Sequence, residues 1–255
     1  MGTSESSGAA WVDVLNGSVR LRCWWAEPQV EANDIELESC SNRVYIVLPE
    51  VFGLNAWVRS VADRLADQGH PALAVPLFSR TAPDLELAYD ASDLAEGRRH
   101  KDATTSEQIL ADVAAAVSWF RARYPQAAIH VVGFCFGGHA AFLAATLPGV
   151  EHAFDFYGAG VSRMRPGGGE PSLALLPEIK ARLTCVFGTA DPLIPFEDRE
   201  AIGVALSKVD PACQRLRFVE YAGADHGFMC EARSAFSPQA SAQGWRLLLG
   251  GDPVA

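Results

Sequence analysis

The sequence has little positive charge, no closely spaced cysteines and no long apolar run, and each absence excludes a class of function. Its 31 Asp and Glu residues outnumber 21 Lys and Arg residues, which gives a formal net charge of −10. Because no basic stripe interrupts this acidity, we expect neither nucleic acid nor an anionic membrane as a partner. No apolar stretch approaches the roughly 18 residues that a membrane-spanning helix needs.

The cysteines and histidines lack the spacing of metal and redox motifs. The six cysteines are never closer than 17 positions apart, which excludes CxxC pairs. The histidines never pair at ligand spacing, and the glycine-rich stretches 158–160 and 167–169 lack the other residues of nucleotide-binding loops. Residues 1–10 lack the basic and apolar regions of a secretory signal. We therefore expect a cytoplasmic protein with reduced thiols, no metal and no cofactor.

Short apolar runs alternate with segments of helical period along most of the chain. Residues 11–15 and 18–25 flank Asn16-Gly17, which is the strongest short signal for an antiparallel hairpin. Further strands are predicted at 44–48, 72–75, 129–132, 153–156, 184–187 and 216–221, and helices at 54–65, 105–120, 136–147, 196–208 and 238–249. We expect one α/β domain over residues 11–255 behind a disordered stretch, 1–10. Its mostly parallel, twisted sheet carries helices on both faces and an N-terminal antiparallel hairpin.

The stretch Ile129–His139 predicts the centre of a catalytic site. An apolar run breaks at Gly133 and is followed by Cys135, two more glycines and an alanine-rich helix. This is the pattern of a nucleophile elbow with cysteine in the serine position. The partial positive charge of a helix N-terminus favours a thiolate at such a position. The alternative interpretation is a small buried core residue, since isolated cysteines are often buried.

A base and an orienting carboxylate follow two later strands of the predicted sheet. Asp191 comes after strand 184–187 and His226 after strand 216–221, so both lie at the edge where open α/β sheets carry their sites. The order nucleophile, acid, histidine is that of α/β-hydrolases. Capping a turn before a proline is the alternative role for Asp191. Asp225 ranks second as the partner of the histidine.

These residues, taken with one further motif, resemble a known family. The stretches Gly133–Gly138 and Pro49–Asn55, together with Asp191 and His226, are similar to the dienelactone hydrolase family. Its members are single-domain α/β-hydrolases with a Cys-His-Asp triad. The resemblance implies that Cys135 is the nucleophile, His226 the base and Asp191 the group that orients the base.

The resemblance covers about residues 11–249 and implies further roles. Glu50 would hold the resting cysteine and help to deprotonate it when substrate arrives. The backbone N–H groups of Val51 and Phe136 would form the oxyanion hole. Loss of one such donor costs about 2.7–4 kcal/mol of transition-state stabilisation.

The enzymes of this family that open dienelactones hold the substrate carboxylate with arginines. One arginine lies before the long helix, where this chain offers Arg98 or Arg99. Arg80 follows a strand and is a further candidate for the pocket border. The second family arginine lies four residues after the histidine, where this chain has Cys230, and the nearest arginine is Arg233. Dienelactone itself therefore does not carry over as the expected substrate.

Tyr157 and Phe228 are predicted to line the substrate pocket. We expect a metal-free hydrolase of small lactones or activated carboxylic esters that forms an acyl-enzyme on Cys135, because amide cleavage must expel a poorer leaving group. Two alternatives stay open: a non-catalytic small-molecule binding or sensor protein with this fold, and a thioesterase with a longer acyl pocket. The expected partner is a small ester or lactone, and the expected assembly is a monomer or homodimer.

Overall fold

An eight-stranded sheet forms the centre of the computed structural model, which describes residues 8–29 and 42–250. Its strands, in chain order, are β1 (Ala10–Asn16), β2 (Val19–Ala26), β3 (Arg43–Leu48), β4 (Ala72–Ala74), β5 (Ala128–Phe134), β6 (Val150–Phe156), β7 (Arg182–Gly188) and β8 (Leu216–Tyr221). Their order across the sheet is β1-β2-β4-β3-β5-β6-β7-β8. Strands β3 to β8 run parallel, whereas β1 and β2 form a hairpin that joins β4 antiparallel. The predicted α/β fold is confirmed.

Helices cover both faces of this sheet, as the alternating pattern predicts. Within the described residues they are α1 (Ala56–Asp67), α2 (Ala91–Asp102), α3 (Ser106–Arg123), α4 (Phe136–Ala144), a 3₁₀ helix (Ser172–Glu178), α5 (Phe196–Val209) and α6 (Pro238–Leu248). On one face Phe134 of β5 packs against Trp57 of α1, with 4.9 Å between ring centroids. On the other face Trp25 of β2 packs against Trp119 of α3 at 5.0 Å. Burial of these large aromatic surfaces holds the layers together.

Two local sequence signals are realised in the backbone. Asn16 pairs with Val19 at the end of the hairpin, and Gly17 takes the positive φ of 58° that this tight turn requires. The N-terminus of α3 carries a capping box. The Thr105 hydroxyl accepts from the backbone N–H of Gln108, whose side-chain oxygen accepts from the N–H of Thr105.

The boundaries of β6 and α4 differ from the prediction. Helix α4 ends at Ala144 rather than near residue 147, and a turn that closes at Gly149, with φ of 88°, leads into β6. That strand begins at Val150, three residues before the predicted apolar run. The run was a poor guide because His152 is buried inside the strand, where its Nε2 lies 2.9 Å from the Thr184 hydroxyl.

Parts of the chain lie outside the described residues. The predicted disorder at 1–10 falls mainly on residues 1–7, which lie outside them, while Ala10 already opens β1. Residues 30–41 and 251–255 also lie outside them. Among the helices of the described ranges, none combines the length and apolar character needed to cross a bilayer.

Candidate active site

The turn between β5 and α4 presents Cys135. This residue has φ of 55° and ψ of −118°, a conformation that a residue with a side chain seldom adopts. Its backbone N–H donates to the carbonyl of Phe156 at 3.0 Å, and its carbonyl accepts from His139 at 3.1 Å. The backbone is thus held from both sides while the half-buried thiol borders a cavity. This is the geometry of a nucleophile elbow.

Glycines on either side of Cys135 make the sharp turn sterically feasible. A Cβ atom on Gly133 would lie 1.8 Å from the carbonyl oxygen of Gly137. A Cβ atom on Gly137 would lie 2.3 Å from the carbonyl oxygen of Leu48, at the end of β3. Neither position has room for a side chain, because backbone atoms rather than flexible side chains occupy the space.

Asp191 and His226 meet at the same edge of the sheet. They lie in the loops after β7 and β8, and His226 Nδ1 is 2.8 Å from Asp191 Oδ2. Asp191 is itself fixed, because its Oδ1 accepts from the backbone N–H of Leu193 at 2.8 Å. The exposed Asp225 instead accepts a hydrogen bond from the backbone N–H of His226. The structure therefore pairs the imidazole with Asp191 rather than with Asp225.

The electrostatics of His226 depend on both neighbours. Burial disfavours the charged ring, but Cys135 and Asp191 outweigh burial and together raise the pKa of His226 to about 10. The Nε2 atom is buried and has no partner in hydrogen-bonding geometry among the described residues. Cys135 and His226 line the same cavity, so this unpartnered nitrogen lies in the same site as the thiol.

Two backbone amides border the cavity near the thiol. Val51 and Phe136 line the same cavity as Cys135 and His226. Phe136 is the first residue of α4, so its N–H has no partner within the helix. Within the described ranges, neither amide donates to a protein acceptor. Both are therefore available to an oxygen placed beside the sulfur.

Glu50 and Arg233 form a largely buried ion pair beside the cavity. Arg233 Nη1 donates to Glu50 Oε1 at 2.7 Å, and the Glu50 side chain is 1% exposed. Burial raises the pKa of Glu50, an effect that Arg233 and His226 oppose. The second oxygen of Glu50 has no hydrogen-bond partner in the described part of the chain. The hydrogen bond of Glu50 thus goes to Arg233, and none joins it to Cys135.

The cavity has a volume of about 390 Å³ and a mixed lining. Its apolar part includes Phe52, Leu94, Met164 and Leu193. Its positive groups are Arg98, Lys101, Arg163 and Arg233. Arg163 is paired with Asp198 at 2.6 Å and Lys101 with Asp102 at 2.6 Å. Arg98 has no carboxylate partner among the described residues.

The structure brings only part of the predicted substrate-binding set to the cavity. Arg98 lines it, whereas Arg80 does not. The guanidinium of Arg80 instead makes two hydrogen bonds, of 2.6 and 2.9 Å, to the buried carboxylate of Asp112. Tyr157 and Phe228 are fully buried and do not line the cavity. Tyr157 packs against His226 with 5.2 Å between ring centroids, and Phe228 packs against Tyr157 at 5.0 Å.

Several residues of the cavity were not predicted. Among them, Leu94 and Lys101 lie at i and i+7 of α2 and share one face with the predicted Arg98 at i+4, and this face of the helix is turned toward the cavity. That periodicity was the available signal. Arg163 belongs to an irregular loop and carries no such signal. No group of three or more His, Cys, Asp or Glu side chains in the described ranges is arranged to hold a metal ion.

Comparisons with known proteins give a consistent result. Residues 35–250 match the dienelactone hydrolase family. A Synechocystis protein provisionally named carboxymethylenebutenolidase is 37% identical over 80% of this chain and 82% of its own length. The carboxymethylenebutenolidase of Pseudomonas putida is 29% identical over 78% and 80%. A crystal structure from Klebsiella pneumoniae, provisionally named a dienelactone hydrolase, superposes with a TM-score of 0.79 at 24% identity, covering 94% and 96% of the two chains.

Proposed function

Given that this chain belongs to the dienelactone hydrolase family and is a hydrolase of esters or lactones, we propose that it forms an acyl-enzyme on Cys135. Its substrates under this proposal are small lactones or activated carboxylic esters. The observation that carries the proposal is the convergence at one cavity of Cys135 at a positive φ and His226, with Asp191 2.8 Å from the ring. This arrangement supplies nucleophile, base and orienting acid.

The first half of the reaction transfers the acyl group to sulfur. Cys135 attacks the carbonyl carbon as a thiolate, its proton having passed to His226. The carbonyl oxygen becomes an oxyanion that the N–H groups of Val51 and Phe136 stabilise. The C–O bond to the leaving group breaks, and that oxygen takes the proton from His226. In a lactone the leaving oxygen stays tethered to the acyl group.

The second half depends on a change in the pKa of His226. The high pKa of the resting ring owes much to the charge of Cys135. Once the sulfur is part of a neutral thioester, that contribution is lost and the pKa falls. The neutral ring then takes a proton from water, which attacks the thioester carbonyl and releases the carboxylic acid. Asp191 keeps the ring oriented in both halves.

The ion pair between Glu50 and Arg233 is the part of the site that an anionic substrate would change. A carboxylate near Arg98 and Arg233 would compete with Glu50 for the guanidinium. Release of Glu50 leaves a buried carboxylate whose ionised form is disfavoured, so it becomes able to accept a proton. Under this proposal Glu50 relays the Cys135 proton to His226 when an anionic substrate arrives, whereas its resting hydrogen bond goes to Arg233.

The size of the cavity favours small acyl groups. At about 390 Å³ it lies near the lower end of the usual range for ligand pockets. We therefore rank a thioesterase for long acyl chains below a lactone or short-ester hydrolase. A panel of p-nitrophenyl esters of increasing acyl length separates them, since kcat/KM should fall as the chain lengthens.

The main experiment compares two thiol variants. Cys135→Ala should reduce kcat on short p-nitrophenyl esters and enol lactones by at least about 10³-fold. Cys213→Ser is the matched control, because Cys213 is an exposed free thiol outside the cavity, and its kcat should not change. Mass spectrometry of the quenched reaction should find the acyl group on Cys135. Full activity of a folded Cys135→Ala variant would refute the mechanism.

A further inference from the structure

A second cavity lies at the opposite edge of the sheet from Cys135. We call it the basal pocket; its volume is about 230 Å³. Its charged and titratable lining consists of Arg43, His130, His152, Arg182 and Arg217. His130 lies five residues before Cys135, at the start of β5, which places the two roughly 17 Å apart at the usual rise of a strand. The basal pocket is therefore separate from the proposed catalytic site.

Strand register explains why these side chains share one face. His130 of β5 is in register with His152 of β6, which is in register with Arg182 of β7. Thr184 follows Arg182 by two residues and is in register with Arg217 of β8. Adjacent residues in register, and residues two apart in a strand, point to the same face. The sheet itself thus positions a row of cationic and imidazole groups.

The polar groups of this row are incompletely satisfied. His130 is 8% exposed, and its Nδ1 has no hydrogen-bond partner in the described part of the chain. His152 is satisfied through the Thr184 hydroxyl at 2.9 Å. A buried polar atom without a partner is costly, and those in native structures call for a water, an ion or a ligand. His130 borders the basal pocket, which is large enough to hold one.

The positive charges of the row are also unbalanced. Arg43 donates at 3.3 Å to the carbonyl of Leu249, whereas Arg182 and Arg217 pair with no carboxylate within residues 8–29 and 42–250. Burial and the surrounding arginines lower the pKa of His130 to about 3. Such crowding of like charge in a chain with a net charge of −10 marks a local region of positive potential.

We propose that the basal pocket binds a phosphate-type oxyanion. Guanidinium forks and an imidazole N–H are the groups that bind tetrahedral oxyanions well, because each donates directed hydrogen bonds to separate oxygens. The volume accommodates inorganic phosphate or the phosphate end of a small monoester. Occupancy would satisfy His130 and neutralise part of the repulsion among the arginines. The folded protein would then gain stability by mass action.

The experiment measures phosphate binding to the full-length chain by isothermal titration calorimetry and thermal denaturation. Inorganic phosphate should bind at one site and raise Tm saturably, whereas sodium chloride at equal ionic strength should not. Arg217→Gln and Arg182→Gln should each weaken binding at least tenfold. Arg20→Gln, which removes an exposed arginine from the hairpin, is the matched control and should bind as the unmodified chain does. Glycerol phosphate serves as the monoester probe. If it binds more tightly than inorganic phosphate, the preferred ligand is a phosphate monoester.

One further variant separates the basal pocket from the proposed catalytic cavity. Arg98→Gln should leave phosphate affinity unchanged, because Arg98 lines the other cavity. Saturating phosphate should not inhibit ester hydrolysis competitively. The proposal is overturned if Arg98→Gln abolishes binding while Arg217→Gln preserves it. A rise in Tm that chloride reproduces, or no saturable binding at millimolar phosphate, also overturns it.

Discussion

Replacing Arg233 with glutamine tests how the charge of the cavity is balanced. The guanidinium lies 2.7 Å from Glu50, whose side chain is 1% exposed. Glutamine keeps a polar side chain but removes the positive charge. Glu50 is then a buried carboxylate that has lost its paired counter-charge and keeps only the influence of His226, so its pKa rises further and it takes up a proton on folding. We expect the variant to fold, with a lower free energy of unfolding.

The magnitude follows from the burial of the pair. Two unit charges about 4 Å apart at an effective dielectric constant of 20 attract by roughly 4 kcal/mol. Removing one partner of a buried pair costs about 3–5 kcal/mol. Protonation of Glu50 limits the loss, since each unit by which pH exceeds the ordinary glutamate pKa costs about 1.4 kcal/mol. Near pH 8 protonation would cost about 5 kcal/mol, so the loss stays at about 3–5 kcal/mol, whereas near pH 5 protonation limits it to roughly 1 kcal/mol.

The sign of this pH dependence is a direct check. The folded-state pKa of Glu50 in the variant lies above the unfolded value, so stability declines as pH rises between the two. Urea denaturation at pH 5 and pH 8 measures the difference. The double variant Glu50→Gln/Arg233→Gln should recover most of the loss, and Arg20→Gln should change stability by less than about 1 kcal/mol. An equal loss at both pH values, or no recovery in the double variant, would refute the reasoning.

Three further predictions concern buried or tightly packed groups. Burial raises the pKa of Asp155 to about 7, so the free energy of unfolding falls as pH rises from about 4 to 7. The variant Asp155→Asn should abolish this fall. Its free energy of unfolding at pH 8, measured by urea denaturation, should exceed that of the unmodified chain by up to about 4 kcal/mol. Gly133→Ala should destabilise the protein by more than about 3 kcal/mol or prevent folding, because its Cβ would overlap the Gly137 carbonyl; a Tm within a few degrees of the unmodified chain contradicts this. Thr105→Ala should cost about 1 kcal/mol through loss of the cap on Gln108, and an unchanged urea midpoint contradicts it.

Local patterns predicted the elements that carry the site. The turn at Asn16-Gly17 and the glycines around Cys135 are short-range signals, because the backbone conformation they permit excludes most other residues. The order of nucleophile, acid and histidine placed the three residues after β5, β7 and β8. Since parallel strands share one carboxyl edge, convergence in space followed from topology alone. The catalytic roles of these residues stay predictions.

Side-chain destinations at the cavity were harder to predict. Arg80 follows a strand, as a pocket residue would. Its guanidinium nevertheless forms an ion pair with Asp112, which lies 32 positions later in a helix. Arg233 lies three residues beyond the expected position, yet the chain after His226 brings it back to Glu50, 183 positions earlier. Such pairs depend on the path of irregular loops, which carry no periodic signal. The periodicity and spacing of the sequence therefore predict the positions of helices and strands better than they predict which charged side chains form ion pairs.

The two edges of the parallel sheet differ in a way that bears on the basal arginines. Helix C-termini approach the amino edge, and cations there can simply neutralise the exposed carbonyls of a helix end. Arg43 fits this structural role, since it donates to the carbonyl of Leu249 after α6. Arg215 does the same for the carbonyl of Ile179, which follows the 3₁₀ helix, and it also donates to the carbonyl of Ala181 before β7. Arg217 makes no such contact within the described residues, so the helix-end explanation does not cover it, whereas the proposed oxyanion would balance its charge in the pocket that it shares with His130.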